Sequence, residues 1–162
     1  MEKNNKISNK KTVIFSHDAG GAQILSSYLL AKNIYKVYGQ CKGPAIKIFK
    51  EKKIKIKILS IKKAIKIGNY FFTTTSWKLK IEKIAMRNLI EKKKKFITFI
   101  DHWVHFKERF DFRYLPDEIW SFDLKSYKTC KKIFKNVKIR LKPNFFQKNA
   151  INEISKFKKN KN

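Results

Sequence analysis

The chain has 162 residues, 43% of them hydrophobic and 14% aromatic, and a formal charge of +28 from 40 Lys and Arg against 12 Asp and Glu. A chain of this length builds one cored domain, burying roughly 68–70% of its unfolded surface without a disulfide or metal staple, and is short for two. The aromatic content excludes a disordered basic tail, and no apolar run approaches the ~18–20 residues that span a bilayer.

In chain order, 1–11 is basic and expected to be disordered. The apolar run after it, Thr12 to Phe15, is too short for a signal-peptide core. Thr12–Ser16 (TVIFS) has the pattern of a short buried strand, and Ala22–Lys32 carries apolar residues at helical spacing. Ile34–Gly39 reads as a second strand, and Pro44 stands where a helix through Lys52 would begin. Ile54–Leu59 (IKIKIL) alternates with period two, as an edge strand with its lysines in water does. A short helical patch leads to a strand over Tyr70–Thr74. Trp77–Lys93 is the clearest helix, with Leu79, Ile84, Ala85, Leu89 and Ile90 on or near one stripe. Phe96–Ile100 reads as a buried strand ending at Asp101. Glu118–Phe122 and Val137–Leu141 read as later strands, with Leu124–Phe134 helical between them. The Lys/Asn-rich tail, 147–162, is expected to fray, with a docked turn through Ile151 and Ile154 as the alternative.

Strands alternating with helices predict an α/β fold: a Rossmann-like parallel sheet with helices on both faces, in a single domain over 12–146. Ligands of such sheets bind beyond the carboxyl ends of the strands.

The kind of basic residue weakens the case for nucleic acid. There are 36 Lys but 4 Arg, and 22 Ile but 4 Val, a bias toward residues of A/T-rich codons. Genomic base composition therefore supplies much of the charge, whereas a reader of nucleic acid more often uses the planar fork of Arg. An RNP-like aromatic strand, a KH-type GxxG loop and a zinc-finger spacing are all missing. A basic nucleic-acid-binding module remains the alternative reading. Cys41 and Cys130 are isolated thiols, as expected of a cytoplasmic protein, and no motif calls for a cofactor or metal.

Four segments at strand ends carry the candidate chemistry. The first is Ser16-His17-Asp18-Ala19-Gly20-Gly21, whose glycines allow a tight turn and close approach of a ligand. Its spacing is neither GxGxxG nor GxxxxGKT, so neither dinucleotide nor nucleoside triphosphate binding is supported. Asp18 or Ser16 as a helix cap is the plain alternative. His17 beside Asp18 is the candidate general base. The second segment, Thr73 to Trp77 (TTTSW), is a hydroxyl-rich turn in which Thr75 or Ser76 caps the next helix or binds ligand hydroxyls. Trp77 stacks on a sugar or base, or packs beneath the helix. The third is Asp101 to Phe110 (DHWVHFKERF). Half of the twelve acids lie between Asp101 and Asp123, where the chain is locally acidic. Asp101, His102 and His105 are candidates for a polar pocket wall; as metal ligands their HxxH spacing is unspecific. The fourth, Leu115 to Asp123 (LPDEIWSFD), is turn chemistry feeding a strand.

Together HDAGGAQ (17–23), TTTSW (73–77), DHWVHFKERF (101–110) and LPDEIWSFD (115–123) resemble the N-terminal half of GT-B-type glycosyltransferases and the related UDP-sugar 2-epimerase-like proteins. More narrowly, they look like a bacterial polysaccharide-biosynthesis-associated group. RLKPNF (140–145) resembles the exit strand and linker of that half. The resemblance implies a glycosyltransferase-like acceptor-side domain acting in surface polysaccharide or lipopolysaccharide synthesis. Such enzymes hold the nucleotide-sugar donor chiefly on a second Rossmann-like domain, whose diphosphate- and ribose-binding residues have no counterpart here. A separate donor-binding subunit would supply them, and epimerase-like activity with such a partner is the catalytic variant. The implied partners are a sugar or a lipid-linked sugar acceptor. His17 or Asp18 would act as base; Gly20, Gly21, Ser76, Trp77, Asp101, His102 and His105 would bind substrate. The basic surface would hold the protein peripherally at the anionic inner membrane. A non-catalytic Rossmann-like interaction domain is the remaining alternative.

Overall fold

The computed structural model describes residues 10–77 and 81–159, and of 156–159 the backbone alone. Seven strands form one sheet: β1 (Thr12–Ser16), β2 (Lys36–Cys41), β3 (Lys55–Ile58), β4 (Tyr70–Thr73), β5 (Ile97–Ile100), β6 (Glu118–Ser121) and β7 (Lys138–Leu141). Between and after them run α1 (Ala19–Ala31), α2 (Pro44–Glu51), α3 (Ile61–Ile67), α4 (Ile81–Glu91), α5 (Phe106–Arg109), α6 (Leu124–Ile133) and α7 (Phe145–Lys159). The sheet order is β3-β2-β1-β4-β5-β6-β7, and every neighbouring pair is parallel. This is the Rossmann-like α/β architecture expected.

All five residues of β1 are buried, because this strand is covered on both faces. Its alternation splits them between two cores. Val13 and Phe15 join the side chains of α3, α4 and α6, and Ile14 joins those of α1 and α2. Phe71 and Phe72 divide in the same way, as do Ile100 and Phe99. Burying side chains of this size stabilises by about 1.5–3 kcal/mol each. Exposed Lys55 and Lys57 blunt the β3 edge, as its period-two pattern foretold. Cys41 and Cys130 are free thiols, one in each core, and burial pushes both up to about 12.

Several boundaries move. α1 starts at Ala19, earlier than apolar spacing indicates, because Gly20 and Gly21 carry no side chain to register in that spacing. β2 runs to Cys41 and begins at Lys36. The helix expected over Trp77–Lys93 runs over Ile81–Glu91: Trp77 is a bend, and 78–80 lie outside the described residues. The 147–162 tail, expected to fray, is helical as far as Lys159 and packs on α1. Lys52 helps to fix it there: Nζ lies 2.7 Å from Ser27 Oγ and 5.3 Å from the Phe146 ring centre. Ile151 and Ile154 are exposed, not docked. Lys11, expected to be disordered with 1–10, donates its backbone N–H to Asn69 Oδ1 at 2.9 Å. Among the described residues no helix is long and apolar enough to cross a membrane.

The strand order reverses at β1, which pairs with β2 on one side and β4 on the other. The ends of β1 and β4 therefore flank the crevice where open α/β sheets take ligands.

Candidate functional site

Past Ser16 the chain turns through His17 and Asp18 into α1. The His17 backbone N–H donates to Glu82 Oε1 at 2.9 Å, and its carbonyl accepts from the Ala45 N–H at 3.1 Å. The ring Nδ1 lies 2.9 Å from Asp18 Oδ1. An ionised Asp18 only accepts, so Nδ1 carries the proton and Nε2 is left as the acceptor. Asp18 occupies the N-cap position of α1, but its side chain makes no cap hydrogen bond. That carboxylate serves His17 instead. Room for the ring comes from Gly43, where a Cβ would sit 2.5 Å from His17 Nε2; its φ of +52° suits glycine as well. The His17 side chain is 17% exposed, enough for one edge to meet a ligand.

The hydroxyl-rich end of β4 is not a solvated turn. Thr73, Thr74, Thr75 and Ser76 are all buried. Thr73 Oγ1 pairs with Thr98 Oγ1 at 2.7 Å, and Ser76 Oγ donates to Glu82 Oε2 at 2.8 Å. Thr74 Oγ1 lies 3.0 Å from Ser16 Oγ and 3.3 Å from Glu82 Oε1. Glu82, in the first turn of α4, thus ties the end of β1 to the end of β4 from beneath. Burial pushes its carboxyl above the usual range against the hydrogen bonds from Ser76 and His17, and the nearby Asp18 charge adds to the rise. Helix capping by Thr75 or Ser76 bears on 78–80, outside the described residues.

Asp101 follows β5 with its side chain 3% exposed. His102 Nε2 approaches Oδ2 to 2.9 Å, but without the alignment of a hydrogen bond. Arg109 Nη1 stands 4.0 Å from Oδ1 and 3.4 Å from Thr75 Oγ1. Both Asp101 oxygens and Arg109 Nε are buried without a hydrogen-bond partner among the described residues. Leaving such a group unsatisfied costs roughly 1–3 kcal/mol, more when charged. On the other side, Gly20 presses against the same carboxylate: a Cβ there would lie 2.0 Å from Oδ2. Gly21 packs likewise on Thr74.

The crevice thus gathers His17, Asp18, Gly20, Gly21, Ser76, Asp101 and His102. Trp77 and His105 stand together at its rim, with ring centres 3.8 Å apart. Glu82 and Arg109 are the two crevice residues that sequence reasoning did not single out. The LPDEIWSFD segment does structural duty: Asp117 accepts the Phe96 N–H at 2.9 Å and Asp123 caps α6 through the Ser126 N–H at 2.7 Å. No protein-family model matches the chain, and no curated protein or solved structure matches it either. Among the described residues no three His, Cys, Asp or Glu side chains gather as a metal site, and His105 faces Trp77 and Glu108. A groove of about 350 Å³ lies elsewhere, on the α3 face beside the β2–β3 edge, lined by Lys11, Tyr38, Lys57 and Lys63 among others. It shares no residue with the crevice, whose claim rests on convergent polar groups rather than on volume.

Proposed function

We propose that the chain is a glycosyltransferase-like acceptor-side domain that activates a sugar hydroxyl in polysaccharide synthesis. The observation that carries this reading is the His17–Asp18 pair at 2.9 Å, mounted at the reversal of strand order and spared from helix capping. His17 Nε2 takes the proton of the acceptor hydroxyl as that oxygen attacks the anomeric carbon of an activated sugar. The nucleotide leaves with the bonding pair. Asp18 holds the ring in the required tautomer and stabilises the imidazolium that forms. The activated sugar is held by a donor-binding partner facing the same rim, where Trp77, Trp103 and Val104 are half-exposed. Lysines near an anionic leaflet, at about 1 kcal/mol each, bring the domain to lipid-linked acceptors.

Transfer from radiolabelled UDP-sugars, assayed in extracts of cells that natively make the protein, tests this. His17→Ala lowers transfer by about 10²–10⁴-fold with the fold intact. Turnover equal to the wild type in that variant overturns the assignment. The half-exposed rim also suits a second reading, a non-catalytic domain that pairs with another chain. For it, His17→Ala leaves partner binding unchanged and no transfer depends on His17.

A further inference from the structure

We propose that Asp101 and Arg109 clamp two neighbouring hydroxyls of a neutral sugar, which rests on the acceptor reading above and names the substrate class of its site. Among the described residues, three of the four buried side-chain polar atoms without a hydrogen-bond partner belong to these two: Asp101 Oδ1, Asp101 Oδ2 and Arg109 Nε. Unsatisfied groups at that density mark a place where something else completes the bonding. The chemistry of the two side chains says what. Carboxylate oxygens only accept and a guanidinium only donates, whereas a hydroxyl does both. Arg109 Nη1 and Asp101 Oδ1, 4.0 Å apart, are too distant to bond directly. An oxygen about 2.8 Å from each fits between them. Oδ2 as acceptor and Nε as donor are left open for a second hydroxyl on the adjacent carbon, so a vicinal diol would use all three atoms.

Charge selects against anions. Asp101 and Arg109 together sum to zero, and the carboxylate is packed against Gly20 in the first turn of α1. An internal anion thus already lies beside the first turn of α1, the end of a helix to which a phosphate would be drawn. A phosphate, diphosphate or uronate brought to Arg109 meets Asp101 in a site nearly closed to water. The way in passes His102, which is 44% exposed and lies against Oδ2, so an incoming hydroxyl takes the place of that ring.

The chain has four arginines, so its Nε–Hε resonances are few, and Arg109→Lys assigns the one that matters. Titration of the full chain with methyl glucoside, galactoside and mannoside shifts the Arg109 resonance for at least one of them. Inorganic phosphate and glucuronate do not shift it. Asp101→Asn weakens the glycoside response by about tenfold or more, and at the same time admits inorganic phosphate to Arg109. Should that variant not fold, Arg109→Lys, followed through the Gly20 amide, shows the same loss of glycoside binding. Wild-type Arg109 responding more strongly to phosphate or glucuronate than to every glycoside overturns the clamp, as does silence toward all three glycosides. The two proposals fail separately. A silent Arg109 with transfer still dependent on His17 removes the clamp alone; a responsive Arg109 with transfer indifferent to His17 removes the transfer reading alone.

Discussion

Glu82 and Asp101 are both almost fully buried carboxylates beside the same crevice, yet their bonding is opposite. Glu82 takes hydrogen bonds on both oxygens, from His17 N–H at 2.9 Å and from Ser76 Oγ at 2.8 Å, with Thr74 close by. Asp101 has no hydrogen bond on either oxygen from the described residues. One carboxylate has spent its acceptors on holding two strand ends together; the other has kept them. Burial alone does not distinguish a structural acid from a ligand-binding one. The state of its hydrogen bonds does.

The largest expected effect separates the two directly. Glu82→Ala strips the acceptor from three donors in the protein interior and should cost about 3 kcal/mol or more. At roughly 2–4 °C per kcal/mol for a chain of this size, the melting temperature falls by about 6–12 °C. Asp101→Asn keeps the shape and breaks no hydrogen bond, but it takes the counter-charge from Arg109 4.0 Å away, so it should cost less than Glu82→Ala, about 1–2 kcal/mol. Thermal melts of the two variants decide it, and equal losses would break the comparison.

A smaller effect concerns the contact with Gly20. Gly→Ala inside a helix ordinarily stabilises by about 1 kcal/mol. Here the new methyl would meet Asp101 Oδ2 at 2.0 Å, so Gly20→Ala should destabilise instead, by about 1–3 kcal/mol. Adding Asp101→Ala should recover more than half of that loss, and a double-mutant cycle measures the coupling. Simple additivity of the two changes would show that the crowding lies elsewhere.

The architecture was largely legible in the sequence because its signals are local. Runs such as TVIFS and IKIKIL declare a buried strand and an edge strand by composition and period. Helix starts were less legible: α1 opens on two glycines, and α5 is a single turn that no periodicity announces. Within the site, His17, Asp18 and Asp101 stood out as chemistry at strand ends. Glu82 did not, although Ile81, Glu82, Ala85, Met86 and Leu89 form the buried face of α4. A glutamate on an apolar stripe is a readable signal when the stripe, rather than the charge run, is followed. Arg109 had a signal too. All four arginines face a carboxylate, Arg87 toward Glu91, Arg109 toward Asp101, Arg113 toward Asp111 and Arg140 toward Glu118. In a chain drifting toward lysine, Arg persists where a planar fork is needed. The acidic stretch was a mixed guide. Asp111, Asp117, Glu118 and Asp123 hold loops and strand edges, Glu108 faces His105 at the rim, and Asp101 lies in the crevice itself. What joins Glu82 to His17, 65 positions away, is tertiary and leaves no trace in spacing.

The finest test of the comparison is its pH dependence. Burial raises the Glu82 carboxyl above its ordinary value of 4.5, so in the interval between that value and the folded one the native state binds the proton more tightly than the unfolded chain. Stability from protonated Glu82 is therefore fully present below 4.5 and is lost as pH rises through the folded value. Glu118 and Asp111 run the other way. Burial raises Glu118, but the bonds from Arg140 and Trp120 with the Lys138 charge together lower it, and Arg113 draws Asp111 down to about 2, so their contributions fade on acidification. The total pH profile mixes these opposing slopes, but the difference between wild type and Glu82→Gln isolates one of them. From about pH 8 down to about pH 4, the wild type should gain melting temperature relative to Glu82→Gln. A gap that stays constant would mean that Glu82 titrates as an exposed carboxyl does, and the contrast with Asp101 would then rest on hydrogen bonds alone.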